Sequence, residues 1–352
     1  MRHPAIGVLG APGQAAREVL RCLAERDFPH RSIVALGTGR GVNQKIGFGE
    51  DGPVLTVADA ARTDLSMLDL LIIAAEPAVA RTHAPRAAEG GALVIDLSPA
   101  FRLEPGVPLL LPEVNPQAVA ERPKRGIIAT PDALVTQMAV VLHPLMALAP
   151  LLRVVAASYE STSGLGKAAM DELWTQARGV YVNEVPAPEQ FPKQIAFNLI
   201  PQVEAFGADG ATQGELRMAQ EVRKLLDPAL KVASSRVRVP TFVGHALALH
   251  LEFAAPVTEA AARAAMRDAE GILLLDRREE GGYATPLDTA GEDLVQVSRI
   301  RVDPTVPHGL ALWCVADNQR RGGPLTAVMA AEMALARGWL EADPDKLPDS
   351  SP

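Results

Sequence analysis

The sequence predicts a doubly wound α/β domain followed by an α+β domain. Three observations carry this reading. The chain opens with an apolar run, a glycine turn and an amphipathic helical pattern, in that order. Short apolar runs separated by helical patterns then continue to about residue 130, as in a parallel sheet covered on both faces. Beyond that point strand and helix patterns stop alternating strictly and the strands carry more polar residues. A length of 352 residues fits two domains.

Ala5 to Leu9 reads as the first buried strand, closed by Gly10. Ala16, Val19, Leu20 and Leu23 then fall at i, i+3, i+4 and i+7 of a helix. Arg17, Glu18, Arg21 and Glu25 take its other face, and Pro29 stops it. Ser32–Leu36, Leu68–Ala75, Ala92–Asp96 and Gly126–Ala129 are the further strands of this sheet. Leu134 to Ala157 is the most apolar stretch. Gln137, His143, Pro144, Pro150 and Arg153 interrupt it, so it reads as a buried helix followed by a strand, not a membrane span. Arg153–Tyr159, Lys231–Val239 and Ala246–Phe253 are strands of the second domain. Its helices fall near Gly166–Ala177, Gly214–Leu226 and Thr258–Ala269. An alanine-rich helix runs from Ala327 to Leu340. The expected division is 1–130 with a C-terminal helix at 324–340, then 131–323, with a disordered tail at 341–352.

Composition excludes several functions. Lys and Arg total 34 against 42 Asp and Glu, a net charge of -8, which argues against a nucleic-acid partner. Aromatic residues are only 4%, too few for base-stacking platforms. Cys22 and Cys314 make neither a disulfide framework nor a metal site, and no metal is expected. Two isolated cysteines suit a reducing cytoplasm. Met1 to Gly10 lacks the apolar core of a signal peptide. No membrane partner is expected.

The glycine turn is the first candidate site. Gly7, Gly10 and Gly13 fall three apart, and Ala16 continues the spacing. A phosphate that approaches the amides at a helix start needs small residues there, because a Cβ would block it. Gly10, Ala11, Pro12 and Gly13 follow a strand, and Gln14 leads into a helix. That context favours a Rossmann-type dinucleotide turn over a tight turn without a ligand. After the second strand comes Leu36-Gly37-Thr38-Gly39-Arg40, with no acid to take the ribose hydroxyls of NAD. Arg40 is either a cation for the 2′-phosphate of NADP or a solvated loop arginine. NADP is the expected cofactor, with NAD as the alternative.

Several motifs follow in one order. Val94-Ile95-Asp96-Leu97-Ser98 leads to Ala100-Phe101-Arg102, and Val107-Pro108-Leu109 leads to Pro112-Glu113-Val114-Asn115. Ser163-Gly164-Leu165-Gly166, Phe197-Asn198-Leu199-Ile200-Pro201 and Val237-Arg238-Val239-Pro240 with Gly244-His245 come next. Asp317-Asn318 with Gly322 closes the series. Each is weak alone; together, from Ile6 to Leu340, they resemble the aspartate-semialdehyde dehydrogenase family.

The resemblance implies an enzyme of amino-acid biosynthesis, a homodimer with an NADP-binding domain and a second domain for catalysis and dimerisation. The family's reaction makes a thioester between a cysteine and the substrate, moves a hydride and exchanges phosphate. Carried onto this chain, Arg102 binds the phosphate, Arg238 the substrate carboxylate and Glu215 the amine, with Arg217 contributing. His245 is the acid–base group, and Ser163, Gly164 and Asn318 lie near substrate and cofactor. These residue types suit small anionic substrates. A guanidinium forms paired hydrogen bonds to carboxylate or phosphate. Histidine exchanges a proton near neutrality. Without the resemblance, Arg238 reads as the polar face of a strand and His245 as a turn histidine.

The resemblance breaks at the reacting centre. The family's nucleophile segment reads asparagine, proline, asparagine, cysteine and two hydroxyl residues. Here it reads Thr130-Pro131-Asp132-Ala133-Leu134-Val135, so Ala133 stands at the nucleophile position. Alanine forms no covalent acyl intermediate. Asp132 replaces a neutral amide, and a carboxylate about 4 Å from a phosphate costs roughly 1 to 4 kcal/mol. Glu160 stands where the family has glutamine, and Ala246 and Leu247 where it has serine and glutamate. The chain resembles the paralogue branch of the family that lacks the cysteine. Three readings follow: hydride transfer on a different carbonyl substrate, a non-catalytic NADP-binding dimer partner or regulator, and full activity with an unusual nucleophile. The last is the weakest, because Asp132 lies one position off and would form an anhydride.

Overall fold

A computed structural model describes residues 3–340, and the tail expected at 341–352 lies outside the described residues. The chain divides into two compact units: residues up to Asp132 together with those from Gly323, and Ala133–Gly322.

The first unit runs β1 (Ala5–Leu9), α1 (Gln14–Glu25), β2 (Ser32–Gly37), β3 (Lys45–Gly47), β4 (Val54–Thr56), β5 (Ala58–Asp59), β6 (Leu70–Ile73), α2 (Pro77–Glu89), β7 (Leu93–Asp96) and β8 (Ile127–Ala129). Six strands form one parallel sheet in the order β5-β2-β1-β6-β7-β8. Every residue of β1, β6, β7 and β8 is buried, which is why these segments read as unbroken apolar runs. From β1 the chain builds β2 on one side, then returns to build β6 on the other. The resulting crevice at the carboxyl ends of β1 and β6 is where doubly wound sheets take ligands. In α1, Ala16, Val19, Leu20, Cys22 and Leu23 are buried. The helix α2 escapes the sequence reading because Pro85 lies inside it, where proline removes a hydrogen bond.

The second unit runs α3 (Ala133–Met146), β9 (Leu151–Glu160), α4 (Lys167–Val182), α5 (Gln213–Leu225), β10 (Lys231–Arg238), β11 (His245–Phe253), α6 (Glu259–Arg267), β12 (Ile272–Leu274), β13 (Val295–Asp303) and β14 (Gly309–Ala316). Its sheet has the order β10-β9-β11-β14-β13-β12. The outer pairs β9/β10 and β12/β13 are parallel and the inner pairs antiparallel. This is the mixed sheet expected of an α+β domain. The apolar stretch from Leu134 becomes α3, buried nearly all round, and then β9.

The chain then adds α7 (Pro324–Ala336) to the first unit, packed on α1. Arg26 grips Glu332 with Nε at 2.6 Å and Nη2 at 2.8 Å. The helix stops at Ala336, short of the expected Leu340, and Gly338 takes a positive φ of 73° just beyond. Among the described residues no helix is long and apolar enough to cross a membrane.

Candidate nucleotide and substrate sites

In the first unit Gly10 has φ 121°, and a Cβ there would stand 2.1 Å from the Ala74 carbonyl oxygen at the end of β6. Only glycine fits. The Gly10 and Ala11 amides both donate to the Leu36 carbonyl at 3.0 Å, tying the turn to the end of β2. Gly13 precedes α1 without a side-chain cap, and Gln14 is the first helical residue. Gly37 and Gly41 close on the same turn: a Cβ on either would lie 2.4 or 2.8 Å from the Ala11 carbonyl oxygen. Arg40 is exposed on the short helical turn Gly39–Gly41 between them. Glycines where a Cβ would clash, at the end of one strand and the start of a helix, form the kind of turn that admits a dinucleotide pyrophosphate.

Arg102 sits in the same unit, buried. Its Nε donates to the Thr130 carbonyl at 3.0 Å and its Nη2 to the Leu97 carbonyl at 2.7 Å. Nη1 lies 3.5 Å from Asp132 Oδ2. The sequence reading expected Asp132 to repel a phosphate; the structure adds that it lies within ion-pair distance of the arginine. Asp96, fully buried at the end of β7, is held by the Ser98 amide at 3.1 Å and the Ser98 hydroxyl at 2.9 Å. Burial pushes its carboxyl up to about 6, with the Ser98 hydrogen bonds, Arg102 and Arg81 opposing.

A polar cluster gathers in the second unit at the ends of β9, β10 and β11. Parallel register sets Arg236 opposite Ser158 and Arg238 opposite Glu160. Glu160, 1% exposed, accepts from Arg236 Nε at 2.6 Å and Nη2 at 3.0 Å, and from the Ser158 hydroxyl at 2.9 Å. Arg238 Nη1 lies 3.3 Å from its Oε2. Burial alone would raise this carboxyl; the guanidinium charges of Arg236 and then Arg238 outweigh it and hold it low.

His245 opens β11. Its Nδ1 accepts the Ser161 amide at 3.2 Å, so the neutral ring carries its proton on Nε2. The Ser161 hydroxyl lies 3.1 Å from the same nitrogen and 3.0 Å from Asn318 Oδ1. Asn318 Oδ1 also accepts the Gly244 amide at 3.0 Å, and its amide nitrogen donates to Ser163 Oγ at 3.0 Å. A Cβ on Gly164 would stand 2.7 Å from Arg238 Nη1 and 3.4 Å from His245 Nε2, so this glycine keeps both within reach of one small ligand.

The sequence-predicted residues Glu160, Ser163, Gly164, Arg238, His245 and Asn318 therefore converge. Glu215 lies in the first turn of α5. It forms a capping box with Thr212, whose amide donates to Oε2 at 2.7 Å, while Oε1 accepts the Arg236 amide at 3.2 Å. The cap fixes the start of α5 against β10. Arg217 pairs with Glu204. Sequence reasoning missed Arg236 and Ser161. The alternation of Arg236, Val237 and Arg238 marks one strand face, but its partner is visible only once β9 is in register.

Ala133 is the first residue of α3, and a Cβ on Gly322 would stand 2.4 Å from its own Cβ. Both cysteines are buried elsewhere. Cys314 receives Gln137 Nε2 on its carbonyl at 2.9 Å, and burial pushes its thiol up to about 12.

Comparison with known proteins places this geometry. Residues 5–122 match the model of the semialdehyde dehydrogenase NAD binding domain, and 142–321 that of the semialdehyde dehydrogenase dimerisation domain. The aspartate-semialdehyde dehydrogenase of Rickettsia bellii is 38% identical over 327 residues, covering 93% of this chain and 96% of its own. The chain belongs to the aspartate-semialdehyde dehydrogenase family. Within that family the Legionella pneumophila protein is 39% identical over 342 residues, 96% of this chain and 97% of its own. The crystal structure of aspartate semialdehyde dehydrogenase II from Vibrio cholerae superposes with a TM-score of 0.92 at 35% identity, covering 95% of this chain and 99% of that one. The same Vibrio protein complexed with ASA also gives 0.92.

Proposed function

We propose that this member of the aspartate-semialdehyde dehydrogenase family binds NADP and a small amino-acid-like anion but has lost the phosphorylating oxidation of the aldehyde. One observation carries the reading. The segment Asp132-Ala133 offers a methyl group at the start of α3 where the family places its thiol, while the adjacent carboxylate lies on Arg102, at the family's phosphate position. An aldehyde oxidised through a thioester needs an attacking thiolate, and neither buried cysteine supplies one. Arg238 is the carboxylate anchor and Glu160 lines the same site. Gly10, Ala11, Pro12, Gly13 and Gln14 hold the pyrophosphate, Arg40 the 2′-phosphate, and Ser163, Gly164 and Asn318 belong to the cofactor side.

Bound NADP would supply or accept a hydride. A second reading, direct hydride transfer on another carbonyl, is favoured by His245: with Nδ1 committed to the Ser161 amide, Nε2–H can donate to a carbonyl oxygen and later recover a proton. The protein is proposed to work as a cytoplasmic homodimer through its second unit. Exposed Trp174, Tyr181, Phe197 and Leu199, 56% to 80% accessible, give that unit the apolar surface a subunit contact needs. Calorimetry with NADP, then an assay with aspartate semialdehyde and phosphate, tests the proposal. Binding without phosphate-dependent turnover is expected; robust turnover overturns it.

A further inference from the structure

Arg236 has no part in the reading above, yet it holds the centre of the polar cluster. It stands two residues before Arg238 on β10, so both side chains leave the same face of the strand. The two arginines share Glu160 unequally. Arg236 takes both carboxylate oxygens, at 2.6 and 3.0 Å, whereas Arg238 Nη1 meets Oε2 at 3.3 Å and also donates to the Ser161 carbonyl at 3.4 Å. Arg236 is itself fixed, with Nη1 donating to the Gly214 carbonyl at 3.2 Å and its amide to Glu215 Oε1 at 3.2 Å. All three charged groups are buried, and within this trio two guanidiniums face one carboxylate, the nearby Glu215 carboxylate being taken up by the Thr212 and Arg236 amides. If Arg236 were neutral, Glu160 and Arg238 would cancel, and an incoming carboxylate would meet a closed ion pair.

We infer that Arg236 is a positioning residue that sets which ligand charge the site accepts: by carrying Glu160 it leaves Arg238 able to hold one ligand carboxylate. The inference rests on the reading of Arg238 as the ligand's anchor. It explains why an acid at position 160 is compatible with anion binding at all.

The test is a cycle of variants titrated calorimetrically with L-2-aminobutyrate, a stable amino acid bearing one carboxylate, with thermal melts to check folding. Arg236→Met should weaken binding at least tenfold, and Arg236→Lys less, because an ammonium keeps the charge without the paired geometry. Adding Glu160→Gln to Arg236→Met should recover most of the loss. Glu160→Gln alone should bind tighter than wild type. A double variant as weak as Arg236→Met, or Arg236→Met binding like wild type, overturns the inference. Should Arg236→Met fail to fold, the other two variants decide. Glu160→Gln must gain affinity and the double variant must bind within about threefold of wild type; failure of either overturns it. Absence of wild-type binding, or binding untouched by Arg238→Leu, counts instead against the anchor itself.

Discussion

Asp132 sets its Oδ2 3.5 Å from Arg102 Nη1, so the arginine at the family's phosphate position already carries an internal anion. On the proposed reading, two changes at this segment bear on the family reaction: Ala133 in place of a thiol, and the Asp132 carboxylate beside Arg102. Ala133→Cys alone should therefore do little. Ala133→Cys with Asp132→Asn should gain a trace of phosphate-dependent oxidation of aspartate semialdehyde, abolished by thiol alkylation. Robust wild-type turnover that survives alkylation would refute this account.

The glycine turn yields a prediction about the cofactor. Wild-type protein should bind one NADP per chain, with at most weak discrimination against NAD. Gly13→Asp should remove binding, because it puts a carboxylate beside the amides that receive the pyrophosphate. Unchanged affinity in that variant would rule out a dinucleotide at this turn.

Asp96 predicts a pH dependence of stability. Its folded value, about 6, lies above the ordinary 3.8, so the native state binds this proton more tightly than the unfolded chain. The contribution is complete below about pH 4 and is lost as pH rises through about 6, on the order of 3 kcal/mol for a shift of about two units. Asp96→Asn removes that component. Relative to wild type, the variant should melt higher at pH 7 than at pH 4.5. A difference in melting temperature that does not change with pH would contradict the assignment.

The cysteines predict silence toward thiol reagents. Cys22 and Cys314 are both fully buried, and the Cys314 thiol is pushed to about 12. Folded wild-type protein should react with neither iodoacetamide nor a disulfide reagent at neutral pH, and both thiols should appear in denaturant. Rapid labelling of either in the folded state would restore a candidate nucleophile.

Much of this architecture is legible in the sequence, for definite reasons. β1, β6 and β7 are buried on both faces, so their residues are apolar without interruption. Gly10 has no alternative, because a side chain there would strike Ala74. What escaped has equally definite causes. The strands β4 and β5 are only three and two residues long, too short for any period to register. The pattern of α2 is broken by Pro85. The capping box of Thr212 and Glu215 went unread although the spacing of the two is its signature. Arg236 could not be read at all, since its role depends on a parallel register with a strand more than 70 residues earlier in the chain.

The joined side chains of Glu160 and Arg236 also constrain the protein's descent. Losing Arg236 leaves Glu160 only its longer contact to Arg238, and an apolar residue at 160 would leave two guanidiniums buried without their carboxylate, a defect worth about 3 to 5 kcal/mol, a large share of what keeps a domain folded. A lineage that carries both residues loses them one mutation at a time only by passing through a less stable intermediate. The pair works as a ratchet: once in place, each residue holds the other even where no selection for ligand binding remains.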